Sequence, residues 1–175
     1  MKGLRAILPA VLLLIVCAWG CNSEECYDNK NALPLAGFYD SADTLRQVSV
    51  DSLEVYGIGA PRDSILSDGK TAKNELYLPF RLVSDTTSYV FRYLRKDLAA
   101  LDISDTVTFI YTREPRLVSA SCGVSYLFTM KKIEYSRQLI DSVTCPFGFI
   151  TNKPIQNLKI FFRIDHSGEV QTVRL

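Results

Sequence analysis

The chain has 175 residues, of which 47% are hydrophobic and 22% are charged. Its 20 basic and 19 acidic side chains nearly balance, and they form no basic stripe, so a nucleic acid is not an expected partner. A single histidine and five cysteines match no zinc-binding spacing, and the length fits one domain of ordinary size.

The chain begins with a short basic segment followed by an apolar run. Lys2 and Arg5 precede the run, which Pro9 interrupts and which is too short to span a bilayer comfortably. The run ends in Gly20, directly before Cys21, and in this it resembles a bacterial lipoprotein signal peptide. The resemblance implies cleavage after residue 20 and lipid attachment to Cys21. The alternative is plain secretion with an unmodified cysteine.

The segment behind Cys21 is polar. Residues 22–25, Asn-Ser-Glu-Glu, are similar to the acidic export signal with which many Bacteroidota lipoproteins reach the outer face of the outer membrane; a solvated tether is the alternative. No later segment is apolar enough to span a bilayer, so the lipid on Cys21 is the predicted membrane attachment. We assign residues 1–20 to the signal peptide, 21–30 to the lipidated cysteine and acidic tether, and 31–175 to one domain.

Cys17 would leave with the signal peptide and Cys21 would carry the lipid. The other three cysteines, Cys26, Cys122 and Cys145, would lie in an oxidising compartment, where disulfides persist. Their sequence positions allow three pairings. Cys26 lies just before the first predicted strand and Cys122 opens a long one, so a bridge between these two would tie the tether to the body of the domain. We favour this pairing. The alternative joins Cys122 to Cys145 through a hairpin between neighbouring strands.

Beyond the tether, apolar residues alternate with polar ones, which is typical of half-buried strands. The candidates are residues 34–39, 47–57 with a break at Asp51, 76–82, 88–94, 107–111, 124–130, 158–164 and 170–174. Turn-forming residues separate them at 67–69, 84–86, 102–105 and 165–168. Residues 96–101 are the one helical candidate, interpreted as a crossover between sheets.

These short strands predict an all-β fold, an antiparallel β-sandwich that is immunoglobulin-like in general architecture, with at most one short crossover helix. Residues 105–109 loosely resemble the start of strand F in immunoglobulin-like domains. Phe109 has no hydroxyl for the tyrosine corner usually found there, so we expect the sandwich class without the immunoglobulin topology.

Side chains that could carry catalysis fall in predicted turns. His166 lies in a predicted hairpin turn, which does not fix a general base. Neither a G-x-S-x-G nucleophile elbow nor a P-loop occurs. The acidic pairs are also predicted turn formers, and the last of them lacks the ordered loop of a calcium site: Asp40 with Asp43, Asp63 with Asp68, and Asp102 with Asp105. We therefore predict a protein that is not an enzyme and binds no metal or cofactor.

Aromatic residues are abundant, with nine tyrosines and nine phenylalanines. Tyr89, Phe91 and Tyr93 alternate along one predicted strand, and Phe147 and Phe149 lie near a proline. Core packing is the default interpretation. The competing hypothesis is that one of these two sets packs inward while the other forms a flat surface platform that binds a glycan or a protein.

Several short blocks resemble a family of uncharacterised Bacteroidota lipoproteins. They are Cys26 with residues 33–40, 121–123 and 157–162. The resemblance covers most of the mature chain, supports the pairing of Cys26 with Cys122, and implies no activity.

The sequence as a whole predicts a non-enzymatic, outer-membrane-anchored lipoprotein that acts as a binding or envelope-assembly accessory module for an unidentified envelope protein. Exposure at the cell surface is the orientation that the acidic tag would give. The alternative function is a surface glycan-binding module beside an uptake system.

Overall fold

The computed structural model describes residues 31–59 and 64–164. Predictions made for other residues lie outside this part of the chain: the signal peptide, Cys21, Cys26, Asp63, His166 and the strand at 170–174. No helix within the described ranges is long and apolar enough to cross a membrane.

The described residues form ten strands and one short helix. The strands are β1 (Leu35–Asp40), β2 (Leu53–Gly57), β3 (Ile65–Asp68), β4 (Glu75–Tyr77), β5 (Thr86–Tyr93), β6 (Ser104–Ser119), β7 (Gly123–Tyr135), β8 (Ile140–Thr144), β9 (Phe149–Ile150) and β10 (Gln156–Phe162). The helix is α1 (Lys96–Ala99).

The strands form two sheets around one hydrophobic core, which confirms the predicted β-sandwich. The small sheet has the order β4-β1-β10-β8 and the large sheet the order β3-β2-β5-β6-β7-β9. Neighbouring strands are antiparallel except β1 and β10, which run parallel in the small sheet. In sequence, the strands of the large sheet come between β1 and β10. No hairpin turn joins these two strands directly, so they need not be antiparallel.

The helix lies where the sequence predicts it, but the interpretation as a crossover was wrong. It joins β5 to β6, which are adjacent antiparallel strands of the large sheet. The connections that do cross between sheets, such as that from β7 to β8, contain no helix among the described residues.

Most long strands lie where alternation predicts them, and the exceptions have local causes. The predicted break at Asp51 is present, since Ser52 has a φ of 50° and β2 begins at the next residue. The predicted strand at 76–82 is wrong: β4 ends at Tyr77, and Pro79 cannot donate to a sheet ladder. Phe80 is nevertheless buried, with its ring stacked 4.4 Å from that of Tyr111.

The proposed aromatic platform was wrong for Tyr89 and Tyr93, whereas Phe147 and Phe149 are 71% and 40% exposed. Tyr89 and Tyr93 are only 3% and 2% exposed, and Phe91 between them is fully buried. Residues two apart on a strand share one face, and on β5 this face points into the core. Both hydroxyl groups are satisfied inside the protein, by the Pro79 carbonyl oxygen and the Asp105 carboxylate.

Asp105 joins the two sheets. It was predicted to be a turn residue, but it lies in β6 and is completely buried. Its carboxylate accepts hydrogen bonds from the Tyr93 hydroxyl at 3.0 Å and the Ser136 hydroxyl at 2.7 Å. It also accepts three backbone N–H bonds of 2.7 to 2.9 Å from the segment that leads from β7 into β8: Gln138, Leu139 and Ile140.

Arg163 holds the same segment from the other side. Its guanidinium donates to the carbonyl oxygens of Arg137 and Gln138 at 3.0 and 3.1 Å, and forms an ion pair with Asp141 at 3.2 Å. Its backbone N–H donates to the Leu139 carbonyl oxygen at 2.9 Å. The crossing from the large to the small sheet therefore has its amide and carbonyl groups paired by two side chains.

We expect Asp105→Asn to lower the free energy of unfolding by about 3 kcal/mol, because the amide places a donor against buried donors and leaves backbone N–H groups unpaired. Urea unfolding followed by circular dichroism measures this change. Asp102→Asn is the matched control. Asp102 is exposed and has a φ of 50°, a conformation that asparagine tolerates, so the unfolding midpoint of this variant should equal that of the unmodified protein. Equal effects at both positions would contradict the role of Asp105.

Candidate binding site

Strands β6 and β7 extend past the rest of the large sheet. β5 pairs with β6 only as far as Ile110, opposite Thr86. β9 pairs with β7 only at Phe128 and Thr129. Beyond these points the two strands pair with each other up to Ser119 and Gly123. We name this two-stranded extension, residues 112–127, the arm.

A groove of about 340 Å³ lies between the arm and the loop that precedes β5. Pro115 and Tyr126 are cross-strand partners on the arm and form its apolar part. The remaining lining residues are polar or charged: Asp85, Thr112 and Arg113. Both sides of the groove therefore come from the large sheet and its loops, and neither requires the small sheet.

An ion pair fixes one end of this groove. Arg113 Nε lies 2.7 Å from Asp85 Oδ1, and another guanidinium nitrogen donates to the Leu82 carbonyl oxygen. The Asp85 carbonyl oxygen accepts the Tyr111 N–H at 3.0 Å. The loop is thereby bonded to the base of the arm, and Arg113 is held in one position while a third of its side chain stays exposed.

The outer edge of β6 has no strand partner along the arm within the described residues. Pro115 occupies this edge. A proline offers no backbone N–H, so it takes this position without loss of a ladder hydrogen bond.

The tip of the arm is apolar. Leu117 and Val124 are cross-strand partners, and they are 70% and 47% exposed. The chain turns between them through Cys122, whose N–H donates to the Ser119 hydroxyl, and through Gly123, whose φ of 78° requires a glycine.

The chain that leads into β1 lies against the arm. The Ala32 N–H donates to the Tyr126 carbonyl oxygen at 2.8 Å, and the Tyr126 N–H donates to Asn31 Oδ1 at 2.9 Å. Both backbone groups of Tyr126 are thus paired with the segment that follows the tether.

The cysteines lie in two different turns. Cys122, at the tip of the arm, is disulfide-bonded. Cys145 is a free cysteine in the turn between β8 and β9, so the alternative pairing of Cys122 with Cys145 was wrong. Burial raises the pKa of the Cys145 thiol. The pairing of Cys122 with Cys26 stays a prediction, since Cys26 lies outside the described residues.

The described acidic residues pair with local partners instead of forming a shared site. Asp40 is buried and forms an ion pair with Arg46, and Asp68 lies 2.8 Å from Lys70. Asp102 is exposed whereas Asp105 points into the core, so these two carboxylates do not converge as a calcium site would require. No group of three or more metal-ligating side chains occurs in the described part of the chain.

A smaller cavity of about 220 Å³ lies between β2, β3 and the segment after β4. Its polar groups already have partners: the Arg81 guanidinium donates to the Ile58 carbonyl oxygen, and the Tyr89 hydroxyl donates to Pro79. The groove beside the arm is the better candidate site because it is larger and because both members of its ion pair, Arg113 and Asp85, remain partly exposed to a ligand.

The state of the cysteines can be tested by alkylation without reduction, followed by mass spectrometry. We expect slow labelling of Cys145 in the folded mature chain near neutral pH, because its raised pKa lowers the fraction of thiolate; labelling should accelerate as the pH rises. The urea-unfolded chain is the control and should label faster at the same pH. Peptide mapping should join Cys26 to Cys122, and a peptide that joins Cys122 to Cys145 would contradict the structure.

A comparison with known protein families finds a match, and it covers the candidate site. Residues 52–162 match DUF6452, a family of unknown function, and the matched range includes the arm, the groove and Asp105. No curated protein and no solved structure matches the chain. The family match covers well over half of the sequence, so the chain belongs to the DUF6452 family.

Proposed function

We propose that this protein is a non-enzymatic lipoprotein, anchored to the outer membrane through Cys21, which binds an envelope protein in the groove beside its arm. The lipid anchor is supported by the resemblance of residues 1–21 to a lipoprotein signal peptide. The binding role is supported chiefly by one observation, the open groove in which a tyrosine lies near a fixed ion pair.

The groove has the composition of a protein-binding surface. Tyrosine and arginine are enriched among the residues that contribute most to binding at protein interfaces. Arg113 is held by Asp85 and by a carbonyl oxygen, so little side-chain entropy is lost when a partner binds. Tyr126 is half-buried, and its backbone N–H and C=O are both hydrogen-bonded to the segment that leads into β1, which presents its ring on a rigid support.

A photocrosslinking amino acid at position 112 tests this proposal in cells. Thr112 lines the groove, and its side chain is exposed; Thr71, in the exposed loop between β3 and β4, is the matched control. We expect a crosslinked product of one defined mass from position 112 and none from position 71. Cys21→Ala should release the chain from the membrane fraction and abolish the product. Equal products from both positions, or none from 112, would argue against a partner in the groove.

A glycan is the second candidate ligand for the same groove. An aromatic ring can stack on a sugar face, and the Arg113 and Asp85 side chains can form hydrogen bonds with hydroxyl groups. This binding would make the protein a surface module beside an uptake system.

If a glycan binds in the groove, Tyr126→Ala should weaken its affinity about tenfold, because the stacking contact is lost. Titration calorimetry with glycans found on an array provides the measurement. Tyr56→Ala is the control, since Tyr56 is a half-buried tyrosine on β2, which β5 separates from β6 in the large sheet. The glycan hypothesis is excluded if the array shows no binding to the unmodified protein.

A further inference from the structure

We propose that the tip of the arm contacts the lipid surface to which the protein is anchored, and that a disulfide between Cys26 and Cys122 holds it there. This inference rests on the lipid anchor of the proposed function. It assigns a second interaction surface, distinct from the groove, with a phospholipid headgroup layer as its partner.

The first argument is the path of the chain. Ala32 is hydrogen-bonded to Tyr126, four residues from Cys122 along β7. Four residues of a strand span about 13 Å. The six residues from Ala32 back to Cys26 can span up to about 20 Å, so Cys26 can reach the tip.

The second argument is the burial of the tip. Cys122 is disulfide-bonded, and Cys145 is not its partner. Cys122 and Ser125 are only 9% and 2% exposed. Such shielding from water is typical of a bridged cysteine. We infer that the partner of Cys122 is Cys26, because Asn31, five residues after Cys26, already lies beside Tyr126.

The third argument is the reach of the anchor. Cys21 precedes Cys26 by five residues, which span at most about 18 Å when fully extended. A bridge between Cys26 and Cys122 therefore keeps the acyl chains within this distance of the tip. Without the bridge, the tether would permit many orientations of the domain relative to the bilayer.

The chemistry of the tip suits the boundary between headgroups and acyl chains. Leu117 and Val124 form an exposed aliphatic pair, and the side chain of Arg116 beside them is also exposed. Aliphatic side chains favour the acyl boundary, and a basic side chain favours anionic headgroups. The anchor holds the tip at high local concentration near this layer, so a small apolar patch is sufficient for contact.

Tryptophan fluorescence can test this contact. The chain has one tryptophan, Trp19, and it is lost when the signal peptide is cleaved off, so a tryptophan introduced at the tip is the single emitter of the mature protein. The lipidated protein with Leu117→Trp would be reconstituted in vesicles of phosphatidylethanolamine and phosphatidylglycerol, with and without brominated acyl chains. We expect bromine to quench the emission, which should also shift to shorter wavelength relative to the detergent-free soluble domain.

Leu45→Trp is the matched control. Leu45 is 88% exposed and follows the end of β1, whereas the segment that lies beside the arm, at Asn31 and Ala32, precedes the start of β1. Its emission should be insensitive to bromine. The combined change Cys26→Ser and Cys122→Ser, and reduction of the unmodified bridge by dithiothreitol, should both lower the quenching at position 117 while vesicle flotation persists.

Flotation separates the two proposals. Protein that does not float with the vesicles lacks the anchor, which would overturn the proposed function and this inference together. Protein that floats without quenching at position 117 would overturn the membrane contact alone and leave the tip free for a protein partner. Quenching that survives loss of the bridge would overturn the role of Cys26.

Discussion

The fold depends on a single buried carboxylate. Asp105 accepts three backbone N–H groups from the segment that carries the chain out of the large sheet and into the small one, together with two hydroxyl groups. An amide donor that is buried without a partner costs more than an ordinary hydrogen bond contributes, so this crossing requires an acceptor at its centre. Asp105 also lies near the start of β6, the strand that continues into the arm. The joint between the sheets is therefore fixed at the start of the same strand that becomes the arm beyond Tyr111.

The strands that are easiest to predict from the sequence have one buried and one solvent-exposed face, because apolar and polar residues then alternate. β2, β5 and the first half of β6 follow this pattern, whereas β1 and β10 are buried along nearly their whole length and were predicted from their apolar residues. The β6 half of the arm escapes the prediction because both of its faces are largely exposed, so apolar alternation stops at Tyr111 although β6 continues to Ser119. The very short β9 has no periodicity to detect, whereas the segment around Phe80 alternates like a strand although Pro79 keeps it out of the sheet.

The candidate site was harder to predict than the fold. Its residues come from a loop and from two strands, and no local motif connects Asp85 with Arg113 or Tyr126. The aromatic pattern on β5 drew attention to Tyr89 and Tyr93 because alternation identifies residues that share a face. It does not identify which face is exposed, and that depends on the packing of the second sheet. Asp105 was missed for a related reason: an aspartate beside a turn has the same sequence signature whether its carboxylate meets water or buried amides.

Pro115 in the arm limits the way in which two copies of this protein can associate through their strand edges. A bare strand edge is a template for pairing with the same edge of a neighbour, and anchoring in a membrane raises the frequency of such encounters by confining them to two dimensions. Pro115 interrupts the row of N–H donors on the outer edge of β6. Neighbouring copies thus meet an edge on which a continuous intermolecular sheet cannot grow, and this suits the crowded, membrane-anchored arrangement that we propose.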